Sequence, residues 1–587
     1  MSLSMMMVST SCDSLFLDHD PQDQRTDAAY FVKPEHFKEF ATSFYGQLNG
    51  WHSPIDGYAS QMDVASDLSA YYGIDNDLGH GTVNIPVNDS RWDRCYANIR
   101  NVNLLFDNIG RYPGNRADID RWIGEAHFFR AYNYFYLLRY FGGVPILTSA
   151  PDVTSAELYK SRNDRYEVVA LILSDLQQAI DNLPTEGLID AADKGRISTQ
   201  AAKAFKARVL LYEATWEKYV GTSTDFKGSS VPDAANVDKY LREAVELCED
   251  VINSNIYSIW NQNSLASMNN MSYRYLFCIE GTGSNPGDFG KDTNKEFIIK
   301  SVWDSEIKPG GANLNQTISK FTHSRKLMDM YLCTDGLPIS VSPLFQGYSK
   351  SADEFVNRDY RMKSVVDYDV QVKGKTLNSG TSGYGNAKFI SSKESRKESA
   401  DYPVLRLAEV FLNYCEAQWE LTGDVSDAWL DKTINLLRRR GGVASLNSAL
   451  VEKIKTLTGS EKSHSEVLGE EIRRERAVEL YEEGFRWDDL KRWGIAEREI
   501  NTDRLGTVVG GVGYPTDFCD ASGKSTGLYN PLSFVWGTAD VSTPWGEIPA
   551  VRVESKDNIS FTRTHYLFPI PQQQRVLNPN LVQNPGY

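Results

Sequence analysis

Arg130-Ala131-Tyr132-Asn133-Tyr134-Phe135-Tyr136-Leu137-Leu138-Arg139-Tyr140-Phe141-Gly142-Gly143-Val144-Pro145 is the stretch on which the fold turns. Upstream and within it, Phe128, Ala131, Phe135 and Leu138 form one stripe at helical spacing, and Trp122, Phe129, Tyr132 and Tyr136 form another. Two apolar stripes predict a helix over Asp118–Phe141 that is buried around much of its circumference. Its aromatics are therefore read as core and not as a ligand surface. Gly142-Gly143 stops the helix, and Val144-Pro145 leads away extended.

Working outward, helices are predicted at Pro34–Tyr45, with Pro in the opening turn, and at Arg91–Ile109, 164–182, 199–219 and 237–254. The last two form a pair. Ala201, Ala204, Ala207, Leu211 and Ala214 give a small-residue face, answered by Leu241, Ala244, Val245, Cys248, Val251 and Ile252. Helix pairs of this length with small interface residues resemble tetratricopeptide repeats. From 256 to 400 the helical period fades into Gly, Asn, Ser and Pro clusters, with strand-like runs at Phe297-Ile298-Ile299 and Ser301-Val302-Trp303 and a short helix at Arg325–Tyr331. Helices return at Val404–Leu421, Ser426–Arg440 and Ser465–Glu483, the last opening on a capping box of Ser463 and Glu466. The fold class is mainly α: a tetratricopeptide-like helical scaffold with an inserted loop-rich region containing short strands. The expected segments are a leader and tether at 1–33, a scaffold at 34–255 with a loop at 46–90, an insertion at 256–403, scaffold again at 404–494, and a loop-rich end at 495–587.

Of 587 residues, 62 are Lys or Arg and 78 are Asp or Glu, a net charge of −16. Such a chain repels phosphate backbones and anionic lipid, which argues against nucleic acid and peripheral lipid binding. Aromatics make up 12%, with 31 Tyr and 12 Trp, a composition that suits carbohydrate stacking as well as a core. The seven cysteines show no CxxC and no zinc-type spacing. Cys95, Cys248 and Cys415 fall in helical apolar patterns and read as buried thiols. Cys12 differs: it follows Val8-Ser9-Thr10-Ser11, small residues of the kind that precede a lipoprotein processing site, although no Lys or Arg occurs before Arg25. No other segment approaches the roughly 20 apolar residues of a membrane span.

Two further segments stand out. Ile472-Arg473-Arg474-Glu475-Arg476-Ala477-Val478-Glu479-Leu480-Tyr481-Glu482-Glu483-Gly484-Phe485-Arg486-Trp487-Asp488-Asp489-Leu490-Lys491-Arg492-Trp493-Gly494 carries charges at spacings of three and four. Glu470 with Arg473 and Arg474, Arg476 with Glu479, and Glu482 with Arg486 are expected to pair along a helix that ends at Gly484 in a positive φ. Carboxylates so placed stay ionised and make poor general acids. The terminus reads Leu567-Phe568-Pro569-Ile570-Pro571, then Asn578-Pro579-Asn580-Leu581-Val582-Gln583-Asn584-Pro585-Gly586-Tyr587. Its prolines set an extended chain suited to docking, with Tyr587 as an anchor.

Together the aromatic helix, the charged block and the terminus resemble the SusD/RagB family. The resemblance implies a lipoprotein on the outer face of the outer membrane, with Cys12 as the lipidated residue. It implies a loop-rich face that binds oligosaccharide or another nutrient, and a SusC-like TonB-dependent transporter as partner. It implies no catalysis, cofactor or metal. The sequence carries no HExxH, GxSxG, P-loop or GxGxxG, and the Asp75-Asn76-Asp77 run has Pro86 where an EF-hand needs Glu. A secreted glycoside hydrolase is the alternative that an acidic, aromatic-rich chain also allows. Sugar rings present C–H faces to exposed Trp or Tyr, with amides and carboxylates orienting them. Candidates in the loops are Trp303 first, then Tyr72 and Tyr71, with Tyr273, Tyr275 and Tyr384 behind them. The polar partners are Asp67, Asp75, Asn76, Asn313 and Asn315.

Overall fold

A computed structural model of the chain describes residues 30–51, 63–70, 77–229, 235–308, 322–350, 352–366, 382–393, 396–509 and 537–587. Cys12, Tyr71, Tyr72, Asp75, Asn76, Asn313 and Asn315 lie outside the described residues.

The aromatic stretch is a helix, α3 (Asp120–Phe141), with nearly every side chain from Trp122 onward buried. The two glycines that end it act separately. Gly142 has φ +73, a backbone that a Cβ would strain. At Gly143 an added Cβ would stand 2.3 Å from the Asn163 carbonyl oxygen, so the chain must pass there without a side chain. Around α3 lie α1 (Pro34–Ser43), α2 (Ser90–Asp107), α4 (Arg165–Asn182), α5 (Thr199–Tyr219) and α6 (Ala235–Asn253). Local chemistry opens these helices: Asp89 accepts from Arg91 N at 2.8 Å, and Asp164 with Glu167 forms a capping box. Successive helices pack in series, α2 on α3, α3 on α4, α4 on α5 and α5 on α6. The alanine face of α5 is buried against Leu241, Ala244 and Cys248, as expected. The helix α7 (Arg325–Met330) interrupts the loop-rich middle.

Beyond the middle region the helices differ from expectation. The chain at Tyr402–Arg406 is a strand, β2, paired antiparallel with β1 (Phe297–Ser301), and only then does α8 (Leu407–Thr422) begin. Val404 therefore belongs to a sheet, because a partner strand distant in sequence supplies its hydrogen bonds. The predicted Ser426–Arg440 helix is broken at Thr433 (φ −128, ψ −100) into α9 (Asp427–Lys432) and α10 (Ile434–Gly441). The helix α11 (Ser448–Thr458) carried no expectation. The charged block is α12 (His464–Glu479), a turn, and α13 (Arg486–Arg492), so the helix ends five residues before Gly484. α8 packs on α6 and on α12, extending the series of paired helices. A second sheet of order β3-β5-β4 follows, from Arg504–Val508, Thr538–Thr543 and Gly546–Glu554.

The C-terminal motif straps onto α3. Phe568 N donates to Tyr140 O at 2.6 Å, and Arg162 donates to Phe141 O, Gly143 O, Val582 O and Asn584 Oδ1 at 2.7–2.8 Å. Tyr587 donates to Leu567 O at 3.2 Å, the anchor expected of it. Among the described residues no helix is long and apolar enough to cross a membrane.

Candidate ligand-binding site

The charged block is built into the core. Its charges do not pair along the helix as expected. Glu479 meets Arg361, Arg406 and Arg440, Arg476 meets Asp489, Arg473 reaches Glu420, and Arg486 holds Asp67. Glu470 instead pairs with Lys462 at the surface. Burial alone would raise the Glu479 pKa, but the guanidiniums of Arg440, Arg406 and Arg361 outweigh it and hold the carboxyl at about 2. Among the described residues no group of three or more His, Cys, Asp and Glu is arranged to hold a metal ion.

Glu482 is the exception in this block. It has φ +61, is buried, and its Oε2 has no hydrogen-bond partner among the described residues. Burial, with the nearby Asp63 adding to it against Lys388 and Asn386, pushes its pKa up to about 8. Burial pushes Asp63 up to about 7, although the amides of Gly484 and Arg486 donate to it at 3.3 and 3.2 Å. Both groups therefore bind protons more tightly folded than unfolded. Their contribution is complete below the unfolded carboxyl pKa and is lost as pH rises through about 7 and 8. Glu482→Gln is expected to flatten the fall in urea midpoint between about pH 5 and about pH 8. An unchanged slope in the variant would assign the fall to other groups.

Trp303 lies two residues past β1, where Asp401, just before β2, gathers the strand ends. Asp401 accepts from Lys291 Nζ at 2.8 Å, Lys300 Nζ at 2.7 Å and Trp303 N at 3.3 Å, while Lys291 also donates to Trp303 O at 2.6 Å. The ring is half-buried and less open than a free stacking platform. One face meets Gly50, where an added Cβ would stand 2.6 Å from the ring, and Lys308 Nζ sits 4.7 Å from the ring centroid. The indole Nε1 is enclosed without a hydrogen-bond partner among the described residues. Asp304 turns the chain back to Lys308, its Oδ1 accepting from Glu306 N and Ile307 N at 2.8 and 2.9 Å. Those amides hold its carboxyl below the usual range.

The other described candidates do not gather around Trp303. Tyr273 is 1% exposed, donates to Glu479 O and packs edge-on to Phe277. Tyr384 is fully buried, with its hydroxyl between Arg325 and Glu354. Tyr275 packs against the core. Tyr273 and Tyr384 are corrected from ligand-facing to structural, since both are buried under other segments, while Tyr275 stays partly exposed. Asp67 is consumed by Arg486 and Lys326 and lines a separate charged cleft of about 590 Å³ with Arg473, Arg474 and Glu499. Beside Trp303, a pocket of about 250 Å³ is lined by Tyr45, Leu48, Asp193, Lys194, Arg196, Lys300, Val302 and Lys308. None of these was singled out by sequence, since they come from four separated segments with no shared motif.

Comparison with known proteins follows from this geometry. The SusD family model matches residues 258–587, and a second, described as starch-binding associating with outer membrane, matches residues 16–211. A SusD-like protein of Bacteroides ovatus is 22% identical over 82% of this chain and 80% of its own length. A SusD-like protein P2 of Formosa agariphila is 24% identical over 70% of this chain and 73% of its own length. Among solved structures, a SusD-like carbohydrate binding protein of Bacteroides fragilis superposes with a TM-score of 0.68 at 21% identity, covering 94% of this chain and 99% of that one. Another SusD-like protein of the same species gives 0.66 at 21% identity over 97% and 100%. With one family model spanning more than half of the chain and the same helical scaffold in its neighbours, the chain belongs to the SusD family.

Proposed function

We propose that this chain is a glycan-binding lipoprotein of the outer-membrane surface that captures oligosaccharide and passes it to a SusC-like TonB-dependent transporter without cleaving it. The observation that carries this reading is family membership: one matching model is described as starch-binding associating with outer membrane, and a neighbour of the same fold is a SusD-like carbohydrate binding protein of Bacteroides fragilis. The core carboxylates support binding over turnover. Glu479 and Glu475 are held by arginines in the interior and are not presented as a pair across an open cleft. The test is incubation with a panel of polysaccharides. Retention on at least one polymer with no new reducing ends is expected, and release of reducing ends would favour the glycoside hydrolase. For the anchor, Cys12→Ala is expected to move the protein out of the outer-membrane fraction. Equal retention of variant and wild type would remove Cys12 from that role.

A further inference from the structure

The pocket beside Trp303 carries a charge opposite to that of the whole chain. In a protein of net charge −16, its lining brings together Lys194, Arg196, Lys300 and Lys308 against a single carboxylate, Asp193. That carboxylate is already engaged by Lys38 at 2.9 Å and Arg121 at 3.1 Å. Not all of the cations are free to act on a ligand. Arg196 is neutralised by Glu125 through two contacts of 2.9 and 2.6 Å, and Lys300 shares Asp401 with Lys291. Lys194 donates to the Glu186 carbonyl oxygen at 3.1 Å and reaches the Glu186 carboxylate only at 3.6 Å, with its side chain half-exposed. Lys308 has no carboxylate partner among the described residues; its ammonium lies over the Trp303 ring. Partial burial there holds its pKa below that of an ordinary lysine, and Asp401 compensates only in part. A basic lining whose one carboxylate is already engaged, with two ammonium groups that lack a close carboxylate, forms a receptor for a sugar that carries its own negative charge. The volume of about 250 Å³ suits a single ring and not a long chain, so the rest of a polymer would leave over the open rim.

We infer that this pocket is a subsite for an anionic sugar residue, its carboxylate or sulfate ester held by Lys308 and Lys194 beside Trp303. This inference rests on the glycan-binding reading and narrows it to acidic polymers. The test is affinity electrophoresis of the full chain through gels containing polygalacturonate for carboxylate, carrageenan for sulfate, and starch and xylan as neutral polymers. Retardation by at least one charged polymer is expected, weakening as salt is raised, because screening acts on the ion contacts. Which charged polymer retards the protein tells uronate from sulfate ester. Lys308→Gln and Lys194→Gln are each expected to weaken that retardation about tenfold, the scale of one charge-assisted contact, with the melting temperature unchanged. Retention by neutral polymers alone would overturn the inference and leave the glycan-binding reading standing. Retention by none, with the protein folded, would overturn both. Charged-polymer retention that survives the Lys194→Gln/Lys308→Gln double variant would overturn the placement of the anion here.

Discussion

Replacing Glu479 with Ala is expected to destabilise the fold by about 3–5 kcal/mol, the cost of leaving buried charges without their partner. The side chain is fully buried and receives three guanidiniums: Arg361 at 2.9 Å, Arg406 at 2.7 Å and Arg440 at 2.5 Å. Each belongs to a different segment, so this one carboxylate ties α10 and the end of β2 to α12. Neighbouring acids soften the loss without cancelling it: Glu296 also meets Arg406 and Arg440, and Asp359 also meets Arg361. Glu479→Gln keeps an acceptor but not the charge, and is expected to fall between Ala and wild type. Glu470→Ala is the control. Its pair with Lys462 is half-exposed on both sides, and such pairs contribute about 0–1 kcal/mol. Urea midpoints read all three, and a Glu479→Ala midpoint equal to that of the control would show that the network is not stabilising. The pH dependence runs opposite to that of Glu482. With the folded pKa of Glu479 depressed to about 2, its contribution is present above the unfolded value and is lost as pH falls through about 2.

Phe568→Ala is expected to cost about 3–5 kcal/mol, as for other buried aromatics truncated to Ala. The ring is 5% exposed, meets Tyr140 edge-on at 5.4 Å between centroids, and lies 3.9 Å beneath the Arg91 guanidinium. The loss is expected to appear first as release of the strap. Protease should cut between Phe568 and Tyr587 at a lower denaturant concentration than in wild type, before the helical scaffold opens. Leu577→Ala, on the same segment but 59% exposed, is expected to stay within about 0.5 kcal/mol of wild type. If both variants are cleaved alike, the strap is held by Arg162 and the backbone and not by Phe568.

The residues of the scaffold announce their own geometry. The stripes on α3, the alanine face of α5, the capping boxes at Asp164 and Ser463 and the glycines after Phe141 act over three or four residues, a range on which helix periodicity and backbone sterics are local. The mainly helical fold, the buried thiols at Cys95, Cys248 and Cys415, and the docked terminus were therefore legible in the sequence. So was the positive φ at Gly484, though the preceding helix ends earlier, at Glu479.

The partners of buried charges were not legible. Spacing placed Arg476 beside Glu479 and Glu482 beside Arg486, as surface helices would have them. In the interior a carboxylate must find as many cations as its desolvation demands, and these come from any element that reaches it. Glu479 takes its three from residues 361, 406 and 440. The same holds for the candidate site. Local composition marks Trp303 and Tyr273 alike as loop aromatics, but only the tertiary structure buries Tyr273 under other segments and leaves Trp303 half-buried against Lys308. The pocket's lysines at 194, 300 and 308 share no periodicity. Sequence by itself determined the long scaffold helices and the family they build, though not the break at Thr433 or the strand at Val404. Which charges meet, and which aromatics stay near solvent, was decided by contacts between separate elements, from 13 to 419 residues apart in the chain, where no local spacing reaches.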